Sequence, residues 1–108
     1  MSEHPLKAIQ FIYDIAPGYA KAQSDYDHLC EYRKALKATL MLASEASSAV
    51  MKEAEALSSP EYMQNLQGAK VAQERAITFK WQLEAAKLKV EVWRSESANN
   101  RAMDRAAA

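Results

Sequence analysis

A chain of 108 residues with 14 basic and 14 acidic side chains has a formal net charge of zero, and so lacks the surplus positive charge of a bulk phosphate binder. Its one cysteine, Cys30, excludes an internal disulfide, and no apolar run approaches the ~18 residues of a membrane span. Two glycines and three prolines punctuate a sequence dominated by Ala, Glu, Lys, Leu, Met and Gln, so the expected class is all-α, in a single domain.

The opening "MSEHPLKAIQFIYDIAPGY" mixes charged and polar residues into its apolar run, which argues against a secretory signal and for the cytoplasm of whatever cell makes it. Pro5 suits a first helical turn, and a short helix is expected from about Pro5 to Ile15. "APGY" then reads as a break, because Pro17 disfavours helix at Ala16 and Gly18 loosens the chain. A second helix should run over 18–57, with a candidate break near 44–48 where clustered serines compete for backbone hydrogen bonds and Ser48 caps a short helix, Ala49 to Leu57. In "SSPEY", Ser59 is a cap, Pro60 a first helical residue and Glu61 a charge suited to the helix dipole, opening a third helix over 60–103.

Both long helices show a spacing of three and four. In the second it runs from Tyr19 through Ala22, Tyr26, Leu29, Arg33, Leu36 and Leu40 on to Val50 and Leu57. In the third it runs from Tyr62 through Ala69, Ala72, Ala76, Phe79, Leu83, Ala86 and Val90 to Trp93. That repeat is the seam of a left-handed coiled coil. The expected architecture is a long antiparallel helical hairpin with the short N-terminal helix packed at one end. The third helix carries a second apolar set, Leu66, Ile77, Trp81, Leu88 and Val92, on its back. The N-terminal helix is expected to cover Leu88 and Val92 but is too short to reach Ile77 and Trp81, which predicts self-association into a homodimer through those two residues.

Lys80, Lys87, Arg94 and Arg101 recur every seven residues beside the seam, and Arg105 adds to the same end. Arg33, Lys34 and Lys37 are expected to approach that end from the second helix. Such a track, with Trp81 or Trp93 as a stacking platform, suits a nucleic-acid backbone. Against it, Lys80 with Glu84 and Lys87 with Glu91 are spaced as i,i+4 ion pairs on an ordinary solvated face. Beyond Glu91 only Glu96 and Asp104 oppose Arg94, Arg101 and Arg105. The contact candidates are therefore Lys87, Arg94, Arg101, Arg105, Arg33 and Lys37.

His28 and Cys30, two apart on a helix, point to different faces and suit no metal. Tyr19 and Tyr26 read as seam, while Tyr13, Tyr32 and Tyr62 are candidate interface anchors. There is no Gly-rich phosphate loop and no nucleophile elbow, and a thin hairpin is expected to leave no room for a substrate pocket. No enzyme activity and no cofactor or metal are expected.

Three stretches, "YRKALKATLM", "SPEYMQNLQGAK" and "KVEVWRSESANNRAMDRA", together resemble a group of small proteins of tailed bacteriophages and prophages, similar in size and in the order of these blocks. Such proteins are often encoded near early replication and single-strand annealing recombination genes. The resemblance implies an accessory role in DNA recombination or replication, with a phage recombination protein or single-stranded DNA as partner. It carries over no catalytic residues. Two other expectations fit an all-α binding protein: inhibition of a host defence system or enzyme through a host protein partner, and a structural spacer that dimerises.

Overall fold

The computed structural model describes residues 4–107. It is all-helical, with three helices, α1 (Leu6–Ala43), α2 (Ala49–Leu57) and α3 (Pro60–Ala107), and no strand among the described residues. The chain divides into two compact units, one of Met1–Tyr19 with Ile77–Ala108 and one of Ala20–Ala76. Each long helix contributes to both.

The expected break at 16–18 does not occur: α1 runs unbroken through Pro17. The reason lies in the phase of burial. Pro5, Ala8, Ile12, Ile15, Tyr19, Ala22, Tyr26, Leu29, Arg33, Leu36 and Leu40 are each buried or half-buried, in steps of three and four with no step skipped. Pro17 falls between Ile15 and Tyr19 on the opposite side of the helix and is exposed. A helical proline forfeits one hydrogen bond, here to the carbonyl of Tyr13, and that residue is itself exposed, on the side of the helix away from the seam. Gly18 is a close approach and not a loosening of the chain. A Cβ built there would lie 2.8 Å from Cζ of Phe79, whose ring stacks on Tyr19 at 6.4 Å between centroids.

At the other end of α1 the serines take over the backbone. Ser44 Oγ accepts from the Ala46 N–H at 3.1 Å and donates to Glu55 Oε2 at 2.8 Å, and Ser48 caps α2 by accepting from the Met51 N–H at 3.2 Å. This new start resets the helical phase. Val50 and Leu57, expected to continue the seam, are exposed, and α2 buries Ala56 instead. Ser59 Oγ then accepts from the Tyr62 N–H at 3.2 Å, with Pro60 and Glu61 opening α3.

The seam of α3 is buried or half-buried from Tyr62 to Trp93. In the unit of residues 20–76, Arg33 meets Asn65, Leu29 meets Gly68, and Tyr26 meets Gln73. In the other unit, Gly18 and Tyr19 meet Phe79, and His4 lies edge-on to Trp93 at 5.3 Å. The fully buried apolar positions are nearly all alanines: Ala8, Ala22, Ala56, Ala69, Ala72, Ala76 and Ala86. There is no separate N-terminal helix to fold over the back of α3, and Leu88 and Val92, expected to be covered, are exposed.

These placements predict opposite outcomes for three alanine substitutions, read as changes in thermal midpoint. Pro17→Ala should stabilise by about 1–3 kcal/mol, restoring a helical donor on an open face. Gly68→Ala should stabilise by up to about 1 kcal/mol, because its Cβ would meet Leu29 at an ordinary 3.5 Å. Gly18→Ala should destabilise despite the same propensity gain, since the methyl displaces the Phe79 ring, and combining it with Phe79→Leu should recover most of the loss.

Candidate binding surface

Arg33 and Lys37 are tied into the fold. Arg33 Nε donates to Asn65 Oδ1 at 2.8 Å, and Asn65 Nδ2 donates to the carbonyl of Leu29 at 3.1 Å. Asn65 is only 6% exposed, and it makes both bonds to α1. Lys37 Nζ lies 2.8 Å from Glu53 Oε1, and that hydrogen bond and charge raise the lysine above its ordinary value. These partners belong to α2 and to the opening of α3, so both side chains are engaged within residues 20–76.

The pairing along α3 also differs from the i,i+4 expectation. Lys87 Nζ lies 3.5 Å from Glu84, and Arg94 Nη1 lies 3.0 Å from Glu91, both i,i+3. Lys80 Nζ sits 5.8 Å from the centre of the Trp81 ring. Arg94 and Arg101 come together with Trp93 and Ser97 around a shallow depression of about 440 Å³. Arg105 is exposed in the last turn of α3, and among the described residues no ion pair involves Arg101 or Arg105. Of the basic track, Lys80 at one end and Arg101 and Arg105 at the other are left without an ion pair among the described residues.

The apolar side of the same helix is more developed. Ile77 is 46% exposed, Trp81 64%, Leu88 64% and Val92 48%. With Ala85 they follow one another at steps of four, four, three and four along one stripe of α3. Beside the stripe, the first turns of α1 and residues 82–92 of α3 leave a groove of about 670 Å³. Ala8, Phe11, Ala85, Leu88 and Val92 give it apolar walls, and Lys7, Gln82 and Lys89 stand at its rim.

His28 stacks on Tyr32 at 6.2 Å, and Cys30 is half-buried. The Tyr26 phenol is pushed above its ordinary value, first by its hydrogen bond to the Cys30 thiol. Among the described residues no group of three or more His, Cys, Asp or Glu is placed to hold a metal ion, and no helix is long and apolar enough to cross a membrane. No family model matches the chain, and comparison with curated proteins and with solved structures found no match.

Sequence reasoning missed Asn65. The signal was present, since it stands midway between Tyr62 and Ala69 at seam spacing, as Arg33 does between Leu29 and Leu36. Asn65→Leu alone should destabilise by about 1–3 kcal/mol, because it leaves the half-buried Arg33 without its acceptor. Arg33→Leu with Asn65→Leu should lie close to the unmodified protein, since removing both partners leaves no orphan. Urea unfolding of the two singles and the double measures that coupling.

Proposed function

We propose that the chain is a non-enzymatic binding protein that works through the exposed apolar face of α3, on an antiparallel hairpin of α1 and α3. The hairpin is supported by the order of contacts in each unit. Partners fall in number along α1, from Arg33 to Leu29 to Tyr26, as they rise along α3, from Asn65 to Gly68 to Gln73. In the other unit Tyr19 is matched with Phe79 and His4 with Trp93. The observation that carries the binding role is the stripe of Ile77, Trp81, Leu88 and Val92. A soluble surface rarely leaves a tryptophan and three aliphatic side chains aligned and open to water unless another protein covers them.

The resemblance to small phage proteins supplies the setting: assistance to DNA recombination or replication by contact with a phage recombination protein. Inhibition of a host enzyme would use the same surface and differ only in the partner. Direct contact with single-stranded DNA is a second reading, favoured by Arg101 and Arg105, basic residues at the end of the track that no described acid engages.

The two readings separate in one experiment. Tagged protein is used to capture partners from infected host cells, and the same preparations are titrated with a labelled oligonucleotide at low salt. Under the protein-docking reading, Trp81→Glu abolishes recovery of a phage protein, and Arg101→Gln with Arg105→Gln leaves it intact. Under the DNA reading the arginine double abolishes oligonucleotide binding, whose affinity falls with salt at a slope of about 1.4 for two single-strand contacts. Recovery that survives Trp81→Glu overturns the protein-docking reading.

A further inference from the structure

From the spacing and charge of this face we infer that its occupant is a second copy of the chain, laid antiparallel across it about a two-fold axis near Glu84 and Ala85. The inference rests on the protein-docking reading of the same stripe. A two-fold interface must be self-complementary: each patch meets its own image, turned end for end. The stripe has that property. Trp81 and Leu88 lie equally far on either side of the point between Glu84 and Ala85, and so do Ile77 and Val92. In an antiparallel pair, Trp81 of one copy therefore meets Leu88 of the other, and Ile77 meets Val92, twice over.

Size and charge agree with this pairing. The small residue of the stripe, Ala85, stands at the centre, where two helices crossing face to face come closest. Trp81, the largest and among the most exposed of the set, has the apolar wall of Leu88, Ala85 and Val92 to enter on the other copy. On one flank, Lys80 of each copy comes within side-chain reach of Glu91 of the other, a carboxylate already held by Arg94 at 3.0 Å, so acid and base meet there with no bare charge. Glu84, the acid nearest the axis, already has Lys87 at 3.5 Å, so the two central carboxylates meet as ion pairs and not as bare charges. An aromatic anchor in an apolar setting with a charged rim is the usual anatomy of a protein interface.

The test uses the full chain. Sedimentation equilibrium over rising concentration should give a dimer for the unmodified protein and a monomer for Trp81→Glu and for Leu88→Glu, each with unchanged helicity by circular dichroism. Geometry is read separately by oxidation in a Cys30→Ser background, which needs no disruptive substitution. Ala85→Cys, at the axis, should form a disulfide-linked dimer. Ile77→Cys alone should not, because the two copies of that position lie roughly 22 Å apart along the helices at ~1.5 Å per residue. Ile77→Cys combined with Val92→Cys should. A chain that stays monomeric at millimolar concentration overturns the inference, and so does a dimer that links Ile77→Cys to itself or survives both glutamate substitutions. A monomer whose partner capture still depends on Trp81 sinks the self-pairing and leaves protein docking standing. A dimer with the expected cross-links whose partner capture ignores Trp81 does the reverse.

Discussion

The unbroken three-and-four step of seam positions, with alanine at the most buried of them, governs everything else in this structure. Alanines hold nearly all the fully buried apolar positions, and no large side chain is completely enclosed. A helix facing its neighbour with alanines can approach closely, but each alanine removes little apolar area from water. The large apolar residues of the seam, Tyr19, Tyr26, Leu29, Phe79 and Leu83, are only half-buried, and Trp81 and Leu88, off it altogether, are open. Packing along the seam and exposure on the back of α3 are two consequences of one choice of residues.

That step also explains which parts of the fold were legible beforehand. The seam of α3, the caps at Ser48 and Ser59 and the start at Pro60 depend on local chemistry, which composition and spacing display directly. The break at Pro17 was misread because proline was weighed by its propensity without asking which face it occupied. The phase of Pro5, Ala8, Ile12 and Ile15 runs into that of Tyr19 and Ala22, and a true break would have disturbed it. Tertiary contacts on both sides of an outward-facing proline outweigh its roughly 3 kcal/mol helix penalty. The opposite error occurred at Val50 and Leu57: their spacing fitted the seam numerically, but the helix restarts at Ser48 and carries the old phase no further.

The candidate site was less legible, and the reason is electrostatic. Spacing within one helix lists the acids that could answer a base, but it does not choose among them, nor does it see acids on another element. Glu91 is taken by Arg94, three residues on, and not by Lys87, four residues back, and Lys37 is answered by Glu53 of α2. Of the six basic residues that the sequence nominated, four have a partner in the fold, two of them across elements. The exposure of Ile77 and Trp81 was legible because exposure on the back of a seam is a matter of helical phase alone.

An alanine seam raises a further problem that larger cores avoid. Ala69 and Ala76 stand at the same seam position seven residues apart, so shape at that position does not distinguish a slip of α3 by seven residues. Side-chain shape normally penalises such slips, and at an alanine position it hardly does. Each unit carries a contact that restores the penalty. In residues 20–76 it is Asn65, which finds an acceptor at Leu29 and a donor at Arg33 in one register only, and would be buried without partners in any other. In the other unit it is Phe79, whose ring occupies the space left by the missing side chain of Gly18, a space that recurs nowhere else on α1. The polar clasp and the glycine notch work by different physics, hydrogen-bond satisfaction in one case and steric fit in the other. Both make a repetitive seam specify a single alignment, and that alignment fixes which residues of α3 remain outside to be bound.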